Sequence, residues 1–239
     1  MKTYSSVTNA IDAVINIALA EVGYLEKASG VNLYNKTANA GDKNYTKYGY
    51  EMNKIYPAVM DYPAYWCDSF VDWCFYKAFD VCNAKKVLCG DFDDYTIASA
   101  QLYKNKGAWH TSKPQRGDQI FFTNGKRICH TGLVYKVDSK YIYTVEGNTS
   151  DGTAVVPNGG AVCKKKYILN NSRIAGYGRP LYSLAVSEGS QLVTYDIKTG
   201  FRGVSVCVDS GLNIRSYPVS GSIIGTVQNT VLVHPTKKT

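Results

Sequence analysis

Apolar residues recur at helical spacing in three stretches of the first half of the chain. The first stretch covers residues 6–25, where Ser6 or Thr8 can act as the N-cap. The second covers residues 67–79, and the third covers residues 95–103, directly after a pair of aspartates that could cap it. The pattern therefore predicts three helices in this half of the chain.

A polar segment, residues 26–50, separates the first two helices and is rich in Asn, Gly and Tyr. We interpret it as a long ordered loop, because loops of this length often serve a binding site. After a turn at residues 114–118 the apolar pattern changes to the alternation typical of strands. The candidate strands are residues 119–122, 132–137, 141–146, 162–167 and 174–177. Helices followed by an antiparallel meander predict an α+β fold, with N-terminal helices packed on an antiparallel β-sheet.

Composition divides the chain into three parts. Residues 1–183 hold all of the helices and strands above, and residues 184–200 are rich in Ser and Thr and end in glycine. Residues 201–239 contain further short strand patterns. We expect an α+β domain, a linker and a second, small all-β unit, in that order.

The chain of 239 residues carries a formal net charge of +8. A basic surface attracts polyanions such as nucleic acid, anionic membranes or anionic wall polymers. The longest basic run is three lysines at residues 164–166, and no nucleic-acid-binding motif is present, so we expect no nucleic-acid partner. No apolar run is long enough to span a bilayer, and we expect no membrane insertion. The N-terminal segment lacks the apolar core of a signal peptide, so we expect synthesis in the cytoplasm without one.

Seven cysteines are present, so at least one is unpaired within the chain. Cys67 and Cys74 would lie roughly 10 Å apart along one helix, too far for a disulfide, whereas Cys82 and Cys89 could pair. No CxxC pair occurs, so we expect no structural zinc site and no other cofactor. Free thiols in a reducing compartment are the simplest interpretation.

The most informative residue is Cys67, which opens the second predicted helix. His130 precedes a later strand, and Glu146 and Asn148 follow on the next one. Only a thiolate attacks well, and both a helix N-terminus and a nearby imidazolium would lower the thiol pKa. In a continuous strand Glu146 and Asn148 would share a face, and either could orient the histidine; we favour Glu146, with Asn148 steadying the network or touching substrate. This set predicts acyl transfer through a thioester.

Each of these residues also has a purely structural interpretation. A cysteine on an amphipathic helix is more often core than nucleophile, and His130 or Glu146 alone could be structural. Cys129 could compete as the thiol, but it has no helix terminus and would face away from His130 in a strand. His110 and His234 lie in polar segments. The prediction therefore depends on the combination and on its order along the chain, which is the papain-like order.

Four short segments carry this combination in a fixed order. They are Trp66-Cys67-x-x-Phe70-Val71-x-Trp73-Cys74-Phe75, Pro114-x-x-Gly117-Asp118-x-x-Phe121-Phe122, His130-x-Gly132-Leu133-Val134 and Glu146-Gly147-Asn148. Together they resemble the CHAP family of cysteine amidohydrolases and peptidases. The resemblance covers residues 5–180 and implies a papain-like fold. It also implies cleavage of bacterial peptidoglycan, either at the bond between N-acetylmuramic acid and L-alanine or within the stem and bridge peptides.

The resemblance assigns roles to residues of this chain. It implies that Cys67 is the nucleophile, that His130 is the base, and that Glu146 and Asn148 form the orienting pair. The candidates for substrate contact lie at or just before the start of the cysteine helix: Tyr62, Tyr65 and Trp66.

Some members of the CHAP family carry an acidic calcium-binding loop just before the cysteine. Here that segment holds one carboxylate, Asp61, and Asp68 follows the cysteine. Two carboxylates without alternating spacing do not make an oxygen cage, so we expect no required metal.

The C-terminal segment resembles part of a bacterial SH3-like cell-wall binding domain. The resemblance is carried by Gly211-Leu212-Asn213-Ile214-Arg215-Ser216-x-Pro218 and by Ile224-Gly225-Thr226-Val227. Residues 201–239 are few for a closed barrel with its own core, so we expect a partial domain.

We favour a peptidoglycan hydrolase similar to a phage endolysin, which acts on the cell wall after release from the infected host. The phage origin follows from the habit of the family and not from any residue. Peptidoglycan and anionic wall polymers would be its partners, and the positive charge would favour both. The alternatives are a non-catalytic wall-binding protein and a cysteine protease acting on ordinary peptides. A comparison of casein digestion with cell-wall digestion would distinguish these possibilities.

Overall fold

The computed structural model describes residues 2–186 and two further strands, Leu212–Arg215 and Ile223–Val227. The chain divides into two compact units; residues 2–186 belong to one, and both of these strands belong to the other. In the second unit the two strands pair antiparallel. Residues 184–186 of the predicted linker (184–200) belong to the first unit, where Tyr182–Ala185 forms a 3-10 helix. The rest of the linker and of the predicted SH3-like domain (201–239) lies outside the described residues, and both stay predictions.

Four α-helices are described in the first unit: Val7–Ala20 (α1), Lys47–Ile55 (α2), Cys67–Val87 (α3) and Thr96–Asn105 (α4). The first predicted helix is confirmed as α1, and its N-cap is Ser6, whose hydroxyl accepts a hydrogen bond from the backbone N–H of Asn9. The third is confirmed as α4, although its N-cap is Tyr95, and Asp93 instead accepts a hydrogen bond from the Tyr95 backbone N–H.

Helix α2 begins inside the segment that we interpreted as a loop, so that part of the prediction is wrong. Its N-cap Thr46 accepts a hydrogen bond from the backbone N–H of Gly49. Tyr48 is fully buried and its hydroxyl donates to Glu21, 27 residues earlier, at 2.7 Å. The helix depends on this packing against distant residues, which a local pattern rich in Tyr, Gly and Asn does not reveal.

Helix α3 begins at Cys67, as predicted, but continues past the predicted end. Asp80 interrupts it with a positive φ of 66°, and the Asp80 carboxylate accepts hydrogen bonds from the backbone N–H groups of Cys82 and Asn83. Asp80 therefore starts a second helical segment that runs to Val87. Cys89, just beyond the helix, is a free thiol, so the Cys82–Cys89 disulfide considered above is not formed.

A six-stranded antiparallel sheet follows the helices. Its strands are Trp109–His110 (β1), Gln119–Thr123 (β2), Ile128–Val137 (β3), Tyr141–Thr149 (β4), Ala161–Ile168 (β5) and Ile174–Gly178 (β6). The strand order is β1-β6-β2-β3-β4-β5, so β2 to β5 form the predicted meander and β6 returns to pair with β2. The predicted α+β fold is confirmed; the short strand β1 was not predicted.

The two faces of the sheet bury different clusters. Phe121 belongs to the large core shared with the helices, whereas its neighbour Phe122 belongs to a smaller cluster with Val134 and Tyr167. His130 stacks on Phe122 with ring centres 5.8 Å apart. Within the described part of the chain, no helix combines the length and apolar character needed to cross a bilayer.

Candidate active site

Cys67 is the first residue of α3 and is only 5% exposed. Its N-cap, Trp66, makes no side-chain capping bond, so the first backbone N–H groups of the helix are not satisfied by a cap. The backbone N–H groups of Thr131, Asp68 and Cys67 are close enough to the thiol sulfur to act on its pKa. Because Thr131 directly follows His130, Cys67 lies against the part of β3 that carries the predicted base.

The pKa of the Cys67 thiol is raised, which corrects the expectation of a lowered pKa. Burial is the largest cause, and the neighbouring negative charge of Asp68 adds to it. The backbone N–H groups act in the opposite direction but do not outweigh burial. The free site therefore holds a neutral thiol, and proton transfer must accompany attack on a substrate.

His130 is fully buried and its Nε2 lies 2.9 Å from Oε2 of Glu146, also fully buried. A carboxylate accepts hydrogen bonds, so Nε2 carries the proton in the neutral ring and Nδ1 is left with a free lone pair. Nδ1 is buried and has no hydrogen-bond partner among the described residues. This tautomer presents Nδ1 as the proton acceptor, which is the arrangement that a cysteine–histidine pair requires.

Two further side chains hold the carboxylate of Glu146. The hydroxyl of Thr144 donates to Oε1, and the hydroxyl of Tyr167 donates to Oε2 at 3.2 Å. Burial and the Glu146 charge both raise the pKa of Tyr167, so its hydroxyl stays a donor. Sequence reasoning missed Tyr167; the inward positions of β5 alternate, but nothing local marks one of them as a partner of Glu146.

Asn148 does not continue the face of Glu146. The β4–β5 pairing is irregular between Glu146 and Thr149, and Asn148 has a positive φ of 55°. Its Oδ1 accepts a hydrogen bond from the backbone N–H of Gly160 at 3.3 Å, and its buried Nδ2 has no partner among the described residues. The hydrogen bond to His130 is therefore made by Glu146 and not by Asn148, and the role of Glu146 as the orienter stays a prediction.

A buried polar network lies behind the nucleophile. Asp68 is fully buried; it accepts a hydrogen bond from the Ser99 hydroxyl at 2.6 Å and another from Gln119 Nε2 at 3.0 Å. The same Gln119 amide lies 3.1 Å from the hydroxyl of Thr131. Burial raises the pKa of Asp68 to about 7, and it also raises the pKa of Asp72 one turn later. This network ties the start of α3 to β2 and β3 and so fixes Cys67 relative to His130.

A cavity of about 270 Å³ opens onto Cys67. Cys129, half-buried on β3, lines the same cavity as Cys67. The other lining residues come from five segments: Tyr65; Asp94, Tyr95 and Thr96; Asn124 and Arg127; Pro157 and Asn158; and Arg173. The thiol is thus reachable from a partly enclosed cavity.

The three predicted substrate contacts lie in three different places. Tyr65 is 64% exposed and lines the cavity at Cys67. Tyr62 lines a separate cavity of about 510 Å³ formed with residues of the 30–35 segment and Tyr50. Trp66 is 1% exposed, and its indole N–H donates to Glu26 at 2.9 Å. Trp66 therefore occupies the core, and only Tyr65 shares a cavity with the thiol.

Among the residues that the structure describes, no group of three or more His, Cys, Asp or Glu side chains is arranged to hold a metal ion. Asp61 is the one carboxylate in the segment before the cysteine. Its backbone N–H donates a hydrogen bond to Oδ2 of Asp94, which lies just before α4, at 2.6 Å.

Comparisons with known proteins give a family match and similar solved structures. Residues 58–148 match the family model of the CHAP domain, and the matched segment contains all four predicted catalytic residues. Curated proteins give no match. Among solved structures, the crystal structure of Ly7917 is 16% identical, covering 94% of this chain and 80% of its own, with a TM-score of 0.41. A structure of Ly7917 with the hydrolysing product of MDP is 18% identical, covering 96% and 81%, with a TM-score of 0.34.

Proposed function

We propose that this protein is a peptidoglycan hydrolase that cleaves an amide bond of the bacterial cell wall with Cys67 as its nucleophile. The observation that carries the proposal is the His130–Glu146 bond, which leaves Nδ1 of the histidine unpartnered, while the backbone of the next residue, Thr131, lies close to the thiol of Cys67. The CHAP match over residues 58–148 supports the same assignment, since it spans the whole set.

The proposed reaction has two halves. His130 Nδ1 takes the thiol proton while the sulfur of Cys67 attacks the carbonyl carbon of the amide. The tetrahedral intermediate collapses, the C–N bond breaks, and the imidazolium gives its proton to the leaving nitrogen, which leaves a thioester on Cys67. Water then attacks the thioester, loses a proton to His130, and releases the carboxylic acid as the thiol is restored. Glu146 stabilises the imidazolium in both halves.

The burial of the Cys67 thiol is consistent with its deprotonation during attack on the substrate. A substrate that fills the cavity excludes water from a thiol that is already only 5% exposed. The backbone N–H groups of Cys67 and Asp68 are in place to stabilise negative charge on the sulfur as it forms. The neutral Cys67–His130 pair is therefore converted to its reactive form at the moment of attack.

The charged surface favours an anionic wall as the site of action. On the sheet, Lys136 of β3 and Lys166 of β5 flank Tyr143, with Nζ atoms 4.9 and 5.8 Å from its ring centre. Neither lysine pairs with a carboxylate among the described residues, so both charges are available to wall polymers. Binding of a Cys67→Ala variant to whole walls should then weaken as salt is added. Action on the wall after release from a phage-infected host is part of this proposal.

The test is digestion of purified Gram-positive peptidoglycan, with the products identified by mass spectrometry and with casein as a parallel substrate. Solubilisation of peptidoglycan without digestion of casein supports the proposal. Stem peptides freed intact from the glycan identify an amidase, and new termini within stem or bridge identify an endopeptidase. Digestion of casein alone would favour an ordinary cysteine protease, and digestion of neither would favour a wall-binding protein.

A further inference from the structure

Two of the four arginines in residues 2–186 have no carboxylate partner within that part of the chain. Arg116 pairs with Asp12, and Arg179 pairs with Asp118. Arg127 and Arg173 form no ion pair with a described residue, and both line the cavity that opens onto Cys67. The unpaired guanidinium groups are thus gathered at the proposed nucleophile.

Hydrogen bonds near β2 fix the side chain of Arg173 and the backbone of Arg127. The Nε of Arg173 donates to the carbonyl oxygen of Thr123, and the Thr123 backbone N–H donates back to the Arg173 carbonyl at 2.7 Å. The backbone N–H of Arg127 donates to Asn124 Oδ1 at 3.0 Å, and its carbonyl accepts from the Thr123 hydroxyl at 3.0 Å. The two amino groups of the Arg173 guanidinium have no protein partner among the described residues, and neither does the guanidinium of Arg127.

The cavity wall is positively charged. The only carboxylate among its described lining residues is Asp94, whose Oδ2 accepts a hydrogen bond from the backbone of Asp61. Burial raises the pKa of Asp94 above its usual value. Two arginines against one carboxylate leave a net positive charge on the cavity wall and favour an anionic ligand in the space next to Cys67.

We infer that Arg127 and Arg173 bind a free carboxylate of the substrate, close to the amide bond that Cys67 attacks. A guanidinium matches a carboxylate with two parallel N–H···O bonds, which gives orientation as well as affinity. The inference deepens the proposed function and rests on it: the substrate class is a peptidoglycan stem peptide whose acidic residue is a free acid, in preference to the same peptide with that acid amidated.

Solvated surface arginines would also lack partners, but these two differ in their setting. Both line one partly enclosed cavity with the proposed nucleophile, and the Arg173 head is fixed by its Nε bond while its amino groups stay unpartnered. A fixed guanidinium loses little conformational entropy when it binds, so its contribution to specificity is larger than that of a mobile surface side chain.

The test measures binding without turnover. A Cys67→Ala protein is titrated calorimetrically with a soluble muramyl peptide whose acidic residue is a free acid, and with the matched amide. We expect the acid to bind roughly tenfold to a hundredfold more tightly. Adding Arg173→Gln or Arg127→Gln should remove most of this preference, whereas Arg173→Lys should restore part of it.

The control is Arg116→Gln, which removes an arginine outside this cavity, and thermal melting shows that each variant is folded. Equal binding of acid and amide by the Cys67→Ala protein overturns the inference, and so does an equal loss of preference in Arg116→Gln. If neither peptide binds, the inference also fails, and digestion of peptidoglycan by the wild type then shows whether the proposed function survives without it.

Discussion

Gly132 lies directly against Glu146, and a methyl group on Gly132 would overlap Cγ of that side chain. The backbone oxygen of Val145, 3.0 Å from the same position, closes the space further. Because residue 132 has no side chain, the Glu146 side chain can occupy this space while its carboxylate bonds to His130. This explains the glycine of the His-x-Gly segment by the geometry of the site.

A Gly132→Ala variant should lose activity and part of its stability. The added methyl group would push Glu146 away from His130, and catalytic histidines that lose their orienting partner are much slower. We expect kcat on peptidoglycan to fall at least tenfold, and overpacking of this buried position should lower the free energy of unfolding by about 1–3 kcal/mol. Gly30→Ala is the matched control, since its added methyl group meets nothing closer than 3.9 Å. Equal activities of the two variants would contradict the account.

Removing the charge of Glu146 tests its role separately from its position. In Glu146→Gln the shape is kept, but the imidazolium that forms during attack is no longer stabilised by a negative charge. We expect kcat to fall by roughly 10²–10⁴ with KM little changed. Tyr167→Phe removes only one hydrogen bond to the same carboxylate and should cost far less. A Glu146→Gln enzyme as active as Tyr167→Phe would show that the carboxylate is not the orienter.

Periodicity predicted the parts of this structure that depend on local sequence. The starts of α1 and α3 and all five candidate strands follow from apolar spacing and caps, and the order of Cys67, His130 and Glu146 along these elements was sufficient to name the candidate set. The position of Asn148, away from the face of Glu146, was not predictable from the sequence, because it depends on an irregular pairing of β4 with β5. The raised thiol pKa was missed for a related reason, since burial of Cys67 is set by segments far away in the sequence.

The buried carboxyl of Asp68 should make stability fall as pH rises. An unfolded aspartate ionises near pH 4, whereas Asp68 in the folded protein does so near pH 7. Between these values the folded state binds more protons, so its stability decreases with pH and the loss is complete above about pH 7. The contribution is on the order of 2–4 kcal/mol for a fully buried group with this shift.

The Asp68→Asn variant keeps the shape of the side chain and removes the titration. We expect its melting temperature to fall less than that of the wild type between pH 5 and pH 8, and to be higher at pH 8. Loss of the nearby negative charge should also lower the pKa of Cys67, measured by the pH dependence of thiol alkylation. Parallel melting curves for the two proteins would contradict this assignment.

We predict that Trp66 contributes to the stability of the protein and that Tyr65 contributes to substrate binding. Trp66→Phe leaves the buried carboxylate of Glu26 without its indole donor, so we expect a loss of about 1–3 kcal/mol in unfolding free energy with KM unchanged. Tyr65→Ala, on an exposed side chain of the cavity, should raise KM with little effect on stability. Chemical denaturation and steady-state kinetics on both variants measure these two effects. A raised KM in a Trp66→Phe protein of unchanged stability would show that Trp66 contacts the substrate.

The central claim is that the thiol of Cys67, and not that of Cys129 in the same cavity, forms the covalent intermediate. The most direct measurement is acid quenching of the enzyme during turnover of a soluble muropeptide, followed by peptide mapping of the acylated residue by mass spectrometry. We predict an acyl adduct on the peptide that contains Cys67 in both the wild type and Cys129→Ser, and no adduct or activity in Cys67→Ala. An adduct on Cys129, or full activity of Cys67→Ala, would contradict the account.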